Sequence, residues 1–333
     1  MSPLEYFVES YLTSDKDDDC EITVRRNGKL IYLRLSPLQF QESPEVEAYY
    51  FKCLNVLKSG EEVIDDLYDD EAQEWLVKPF EPLMAQFATE PPGGLGIPTL
   101  AKYFFADYLV LTLDVKKEEL RPRRVETQTP PRIPWVWISD ELAHDLEGWT
   151  TIYPPSQVEI YYDRPQDVLI RLPRRVHVND GKDTYFFKPF CVGGSREEVS
   201  QELKNFKQIA MANLGPKARV CRLHGVVGDG DQLLGMLLTF VEERLPLHRA
   251  RAFAPSSLRQ QWAAQIKDSL AALHKAGLVW GDVKPHNVLI DAEDNAWLID
   301  FGGSYTEGWV DRQEAGTVEG DLHGLARILE FLS

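Results

Sequence analysis

Cysteine is scarce in the 333-residue sequence, and no two cysteines have the spacing of a metal site. The four are Cys20, Cys53, Cys191 and Cys221, which lie far apart along the chain. A zinc site or a disulfide framework is therefore not indicated, and we expect free thiols in a reducing compartment. The acidic first residues also lack the apolar segment of a secretory signal, so we predict a cytoplasmic protein.

Long apolar runs and positive charge are also lacking. The strongest apolar run, residues 103–115, contains Asp107 and is too short to cross a bilayer, so no membrane partner is expected. The 36 lysines and arginines are outnumbered by 53 acidic residues, giving a net charge of −17. Such a surface repels polyanions, which disfavours nonspecific binding of nucleic acid. The 44% hydrophobic content is nevertheless sufficient for a folded core.

The N-terminal half contains one strong hairpin signal and two helical patterns. Residues 21–35 alternate apolar and polar side chains on either side of Asn27-Gly28, which predicts a two-residue β-turn. Residues 46–57 and 72–87 have helical periodicity, and prolines should break the second helix. This half therefore predicts a hairpin followed by helices.

The remainder of this half is less regular. The apolar residues 103–115 predict a buried strand or a short helix. The arginine- and proline-rich residues 116–134 predict an extended linker. We expect residues 1–155 to form an α/β extension that packs on the rest of the chain, because an exposed apolar run would favour aggregation.

The C-terminal half begins with an alternation of strands and helices. Strands are predicted at 168–178, 184–190, 219–227 and 233–241. A helix is predicted at 196–212, with Ser195 as N-cap and Glu198 completing a capping box. A second helix, residues 255–276, should end at Gly277.

The segment Gly-Asp-Val-Lys-Pro-His-Asn-Val-Leu-Ile begins at Gly281, and Asp-Phe-Gly follows at Asp300. Phosphoryl transfer needs a carboxylate to orient a hydroxyl and oxygen ligands to hold Mg²⁺ against phosphates. The two motifs resemble the catalytic loop and the metal-binding segment of protein kinases. The resemblance makes Asp282 and Lys284 catalytic residues, Lys284 neutralising the transferred phosphoryl group. It makes Asn287 and Asp300 ligands of Mg²⁺ and of ATP.

The same resemblance assigns three nucleotide-binding residues upstream. Lys188 follows aromatic residues in a predicted strand, where this fold keeps a phosphate-contacting lysine. Glu202, with Glu198 as its alternative, would pair with that lysine and hold it in position. Glu242 lies in residues 239–243, which would form the hinge that contacts adenine.

Some features depart from the kinase pattern. No G-x-G-x-x-G loop precedes Lys188, and Trp280-Gly281 stands where kinases have His-Arg. Only a short segment separates Gly302 from Asp321, which would begin the next helix.

The resemblance therefore implies an α+β, two-lobed protein-kinase-like fold with a truncated C-terminal lobe and the N-terminal α/β extension. The small lobe would cover 156–243 and the reduced large lobe 244–333.

Three functional hypotheses follow. The first is an ATP- and Mg²⁺-dependent phosphotransferase acting on a small molecule or an atypical protein, in secondary metabolism. The second is a noncatalytic kinase-like binding module, favoured by the missing glycine loop. Kinase-like chains with a long N-terminal extension also occur in filamentous fungi.

The third hypothesis is a tRNA-dependent enzyme. The chain is similar to fungal arginine-containing cyclodipeptide synthases, which need a D-D-x-x-E motif. Its candidate acidic residues are Asp17, Asp18 and Glu21, with Asp70 and Glu74 as a less faithful match. A cluster of carboxylates would bind the guanidinium group of an arginyl substrate through paired hydrogen bonds. Arginines in residues 121–132 and 171–175 would contact the phosphates of tRNA, which is the one nucleic-acid partner that this hypothesis implies.

Overall fold

A computed structural model describes residues 5–89, 94–116, 119–127, 135–190, 196–212, 214–215, 217–302, 306 and 308–333. Its strands are β1 Phe7–Thr13, β2 Cys20–Arg26, β3 Lys29–Leu35, β4 Val63–Ile64, β5 Leu67–Tyr68, β6 Tyr108–Lys116, β7 Glu119–Val125, β8 Val136–Trp137, β9 Thr151–Tyr153, β10 Glu159–Tyr161, β11 Arg175–Val178, β12 Asp183–Pro189, β13 Leu223–Asp229, β14 Gln232–Thr239, β15 Glu243–Pro246, β16 Val288–Asp291 and β17 Ala296–Leu298. Its α-helices are α1 Pro44–Ser59, α2 Asp69–Val77, α3 Glu81–Phe87, α4 Leu100–Phe104, α5 Asp140–Glu147, α6 Arg196–Met211, α7 Leu247–Ala250, α8 Ser256–Lys275 and α9 Val318–Leu332.

The hairpin predicted at Asn27-Gly28 is confirmed. β2 pairs with β3 antiparallel, with Arg26 opposite Lys29 across the two-residue turn. Asn27 has φ 47° and Gly28 has φ 71°, so both turn residues adopt the left-handed conformation. Asparagine and glycine tolerate this conformation better than other residues, which is why the dipeptide directs the chain back on itself here.

The chain divides into two compact units. The first contains Met1–Ile133 and Ser156–Arg174, and the second contains Pro134–Pro155 and Arg175–Ser333. This division differs from the single boundary expected after residue 155, because the chain passes between the units three times. Among the described residues, no helix is both long and apolar enough to cross a bilayer.

The first unit is a five-stranded sheet covered by helices. Its strand order is β1-β2-β3-β6-β7, with β3 and β6 parallel and the other neighbours antiparallel. The predicted helix 46–57 is confirmed as α1. The predicted helix 72–87 is broken as expected: α2 ends at Val77, a 3₁₀ turn spans Lys78–Phe80, and α3 follows. The core joins these helices to buried residues of β2, β3 and β6.

Two expectations for this unit need correction. Residues 103–115 form neither a single strand nor a single helix, because α4 ends at Phe104 and β6 begins at Tyr108. The described part of the predicted linker 116–134 contains strand β7, paired with β6 at the edge of the sheet. Pro122 does not prevent this pairing, since an edge strand tolerates the loss of one backbone donor.

The second unit has a larger sheet and a separate helical part. In its sheet the order is β11-β12-β14-β13-β9, and β8 also pairs with β14. The predicted strand 168–178 is wrong in its first part, since residues 168–174 form a turn and irregular backbone and β11 begins only at Arg175. Helix α6 lies where it was predicted, whereas its expected cap Ser195 lies outside the described residues.

One continuous core holds the second unit together. Buried Val199, Leu203 and Phe206 recur at helical spacing along α6 and belong to the same cluster as Met236 of β14 and Trp262 of α8. Helix α8 ends at Lys275, and Gly277 with φ 73° turns the chain as predicted. β15, β16 and β17 form a small sheet that follows the large one along the chain.

Candidate active site

The loop between α8 and β16 carries the most buried carboxylate of the proposed motif. Asp282 is 1% exposed. Its Oδ2 accepts a hydrogen bond from Asn287 Nδ2 at 2.9 Å and contacts Lys284 Nζ at 2.6 Å. Asn287 Nδ2 also donates to the Asp282 carbonyl oxygen at 2.9 Å. The residues at positions 282, 284 and 287 therefore form one cluster, with a carboxylate held by a cation and an amide.

Helix α9 fixes the backbone immediately before Asp282. Asp321 Oδ2 accepts from Trp280 N at 2.7 Å, and its Oδ1 accepts from Gly281 N at 2.8 Å. His274 Nε2 lies 2.8 Å from the same Oδ2. The Asp321 side chain is fully buried. Sequence reasoning placed Asp321 at the start of a helix and missed this contact, because spacing along the chain does not indicate a bond across some 40 residues.

A glycine lets α9 approach the loop that carries Asp282 closely. A β-carbon at Gly324 would lie 2.6 Å from Val283 Cβ and 3.0 Å from the Val283 carbonyl oxygen. Those distances are far below ordinary contact, so glycine is required for the helix to lie against the residue that follows Asp282. Asp321 and Gly324 thus fix the loop together, one by hydrogen bonds and the other by the absence of a side chain.

The second cluster surrounds the strand lysine. Lys188 Nζ lies 2.6 Å from Glu202 Oε1 and 2.9 Å from Asp300 Oδ1. Burial by itself would lower the pKa of Lys188, but the two carboxylates outweigh it and raise that pKa above its ordinary value. The ammonium is therefore held positive and in place. Glu202, rather than its alternative Glu198, is the carboxylate that reaches the lysine from α6.

The Asp300 segment is fixed by contacts with α6. Asp300 has φ 62°, an uncommon conformation for a residue with a side chain. Phe301 is buried and meets the ring of Phe206 edge-on, with 5.9 Å between ring centroids. Asn205 Nδ2 donates to the Phe301 carbonyl oxygen at 2.8 Å. The same helix that supplies Glu202 thus also orients the backbone around Asp300.

A hydroxyl that sequence reasoning missed lies at the Asp282 carboxylate. Thr306 Oγ1 donates to Asp282 Oδ1 at 2.9 Å and accepts from Lys284 Nζ at 2.7 Å. No motif signals such a contact, because Thr306 follows the Asp-Phe-Gly segment in a stretch without periodicity.

Asn287 and Asp300 are chemically suited to hold Mg²⁺. Mg²⁺ prefers oxygen ligands and is typically bound by one or two carboxylates together with phosphate oxygens. The amide nitrogen of Asn287 donates to Asp282, so its oxygen is the atom that suits a cation. Within the described part of the chain, no group of three or more His, Cys, Asp or Glu could hold a metal by itself. The donor set therefore fits a metal whose remaining ligands come from a nucleotide.

Of the other predicted residues, Glu242 belongs to the second unit and the five acidic-motif residues belong to the first. Glu242 is exposed, and its carbonyl oxygen accepts from Ala292 N at 3.1 Å, so its contact with adenine stays a prediction. In the first unit, Asp17 and Asp18 lie in the turn between β1 and β2, and Glu21 is the second residue of β2. Asp70 and Glu74 are exposed residues of α2.

Comparisons with known proteins point to one family. Residues 190–318 match the family model of the protein kinase domain. A 70-residue stretch is 36% identical to serine/threonine-protein kinase PKH3 of Eremothecium gossypii, covering 21% of this chain and 10% of that protein. A 128-residue stretch is 35% identical to serine/threonine-protein kinase PkaB of Streptomyces coelicolor, covering 34% and 30%.

A 38-residue stretch is 53% identical to serine/threonine-protein kinase PknE of Mycobacterium tuberculosis, covering 11% of this chain and 7% of that protein. The chain therefore spans less than a third of the length of each of these three relatives. The matched region begins just after Lys188 and includes α6, the catalytic loop and the Asp-Phe-Gly segment. The chain thus has an α+β, protein-kinase-like fold, and the residues that match the family model include every member of the two clusters except Lys188.

Proposed function

We propose that this chain is an ATP- and Mg²⁺-dependent phosphotransferase. The observation that carries the proposal is the presence of two complete clusters in one unit: Lys188 with Glu202 and Asp300, and Asp282 with Lys284 and Asn287. A noncatalytic relative would have no chemical need to keep all six of these polar groups. The acceptor is a small molecule or an atypical protein, and we place the reaction in fungal secondary metabolism on resemblance alone.

Each cluster has a distinct part in transfer. Lys188, fixed by Glu202, would bind the α- and β-phosphates of ATP. Asn287 and Asp300 would hold Mg²⁺, which supplies charge neutralisation at the phosphates when bound. Asp282 would orient the acceptor hydroxyl and receive its proton, and Lys284 would stabilise the charge of the transferred group.

Binding is tested by thermal unfolding with ATP, with and without Mg²⁺. Saturating ligand should stabilise the wild-type protein by about 2.7 kcal/mol at 100 times the dissociation constant. Asp300→Ala should lose the Mg²⁺-dependent part of this stabilisation, because it removes the carboxylate ligand. The matched control is Asp268→Ala, an exposed residue of α8. Equal Mg²⁺-dependent stabilisation of the wild type and Asp300→Ala would refute the site.

Turnover is tested by ADP release. Asp282→Asn should bind Mg²⁺–ATP normally but release ADP about 10²–10⁴-fold more slowly, because the positioned base is lost. Asp268→Asn should behave as wild type. ATP binding without a metal requirement and without ADP release would favour the noncatalytic binding module.

The tRNA-dependent alternative depends on residues with local structural partners. Lys58 Nζ lies 2.6 Å from Asp18 Oδ1, and Arg34 Nε lies 2.9 Å from Glu21 Oε2. In the arginine-rich stretches, Arg123 pairs with Asp114, and the Arg171 guanidinium lies 4.0 Å from the centroid of the Phe7 ring. Under this alternative, activity with charged tRNA would survive Asp282→Asn and be lost when the acidic residues are replaced.

A further inference from the structure

The first unit contains a surface cavity with a volume of about 560 Å³. It lies between the start of β1, the junction of α2 and α3, and residues 164–171. Its volume falls within the range of about 300–1,000 Å³ that small-molecule sites occupy. No residue of the family match at 190–318 lines it. The proposed phosphotransferase function therefore does not account for this cavity.

One side of the cavity, formed by residues 164–171, carries a net positive charge. Arg164 donates to both oxygens of Asp167, from Nε at 2.8 Å and from Nη2 at 3.2 Å, and Arg171 Nε lies 3.9 Å from the same carboxylate. The Arg171 guanidinium also lies over the Phe7 ring, 4.0 Å from its centroid. One carboxylate neutralises only one of the two arginines. Among the described contacts, the terminal nitrogens of Arg171 have no partner, so they are available to an anionic group.

A second side, formed by α2 and α3, carries an excess of negative charge. Glu74 of α2 and Glu81 of α3 line it, and Glu5, just before β1, is a third carboxylate of the lining. Burial raises the pKa of Tyr6, and the charges of Glu81 and Glu74 raise it further, so both carboxylates lie near its phenol group. Lys78 lies one helical turn from each, but within the described ranges neither glutamate takes part in an ion pair. Two neighbouring carboxylates therefore remain available to a cationic group.

The two charged sides do not neutralise each other. No described ion pair joins Arg164 or Arg171 to Glu74 or Glu81, although all four side chains line the same cavity. A ligand that carries both charges would bridge this separation, because a guanidinium binds a carboxylate through strong paired hydrogen bonds and an ammonium group binds carboxylates through charge-assisted ones.

We propose that this cavity binds a small zwitterion. The ammonium group lies at Glu74 and Glu81, the carboxylate lies at Arg171, and the apolar part of the ligand packs against Phe7 and Ile170. Free amino acids and short peptides carry both charged groups. This binding site is independent of the proposed phosphotransferase function.

Binding is tested by saturation-transfer difference NMR of the full chain with two sets of probes. One is a mixture of the common free amino acids, and the other is a mixture of dipeptides with free termini, so that the two sources of the same chemistry are distinguished. We expect signals from at least one member of one mixture. That member is then titrated by calorimetry beside its N-acetyl form, which lacks the ammonium charge, and its amide form, which lacks the carboxylate. Both blocked forms should bind about tenfold or more weakly.

Variants that remove one charge separate the two sides of the cavity. Arg171→Gln should weaken binding of the free ligand about tenfold but leave binding of the amide form unchanged, because that form has no carboxylate. Glu81→Gln should weaken binding of the free ligand and leave binding of the N-acetyl form unchanged, and Glu74→Gln serves the same purpose should Glu81→Gln fail to fold. The matched control is Arg123→Gln, whose guanidinium pairs with Asp114 elsewhere in the unit, and it should bind as the wild type does.

Three results would overturn the inference. They are the absence of signals from both mixtures, equal affinity for the free and N-acetyl forms, and a loss of affinity in the variants that is the same for free and blocked forms. ADP release measured on the same preparation keeps the two proposals apart. A chain that releases ADP and binds no probe would retain the proposed function alone, and a chain that binds a probe without releasing ADP would retain the zwitterion site alone.

Discussion

Two acidic residues, one from each unit of the chain, show opposite uses of a carboxylate. At the β1–β2 turn of the first unit, Asp18 is 45% exposed, and its carboxylate contacts one lysine, Lys58. In the second unit the Asp321 side chain has no exposure and accepts from two backbone amides while contacting a histidine. The first kind of carboxylate lies in a surface turn, and the second holds the loop that carries Asp282 in place.

This difference shows which property of an acidic residue indicates function. Both units are rich in carboxylates, so a match to an acidic motif in either unit carries little information in a chain with 53 acidic residues. Burial with several convergent donors is rare by comparison, because an unpaired buried charge is costly. The following replacements test this difference between the two kinds of carboxylate. They are described in order of decreasing effect on the free energy of unfolding.

The largest effect is expected for Asp321→Ala. It leaves the amides of Trp280 and Gly281 buried without acceptors, and each orphaned donor costs about 1–3 kcal/mol. We expect the free energy of unfolding to fall by about 2–5 kcal/mol, measured by urea denaturation at constant m. The control Asp311→Ala removes a largely exposed carboxylate that lies 3.6 Å from Arg327. Equal losses for the two variants would mean that burial does not separate the two kinds of carboxylate.

An intermediate effect is expected for Gly324→Ala. Alanine normally stabilises a helix interior by about 1 kcal/mol relative to glycine. Here the added methyl group meets Val283, so we expect a destabilisation of about 1–3 kcal/mol. ADP release should also slow, because the loop that carries Asp282 is displaced. A gain in stability without a change in ADP release would show that α9 does not constrain the loop.

The smallest effects are expected at the acidic residues of the first unit. Asp17→Ala and Asp70→Ala remove exposed carboxylates, and each should change the free energy of unfolding by no more than about 1 kcal/mol. At Asp18, whose φ is 55°, asparagine is the better replacement because it tolerates the left-handed conformation. None of the three changes should alter ADP release. Loss of activity in any of them would restore the acidic motif as a functional candidate.

Local patterns were sufficient for the parts of the fold that depend on neighbours in sequence. The Asn27-Gly28 turn, helix α6 and the end of α8 were predicted because backbone conformation and side-chain periodicity determine them locally. β7 was missed because Pro122 and the arginines around it disfavour a strand in isolation, whereas pairing with β6 at a sheet edge accommodates them.

The candidate site also contains residues that were predicted from the sequence and residues that were not. The resemblance to kinases assigned Asp282, Lys284 and Asn287, which lie within one short loop, and it paired Lys188 with Glu202. The contact of Lys188 with Asp300 was not predicted. Thr306 and Asp321 were missed, since their contacts arise from tertiary folding that no spacing in the sequence records.

The anchoring of the catalytic loop by α9 has a consequence for protein synthesis. Asp321 follows Trp280 by 41 residues and Gly281 by 40. At about 5–20 residues per second, a ribosome needs roughly 2–8 seconds to add them. During that interval the nascent chain carries the whole catalytic motif without the carboxylate that fixes its backbone. The backbone of this loop therefore gains its anchor only after α9 has been synthesised, and a chain cut before α9 would keep the motif and lose its anchor.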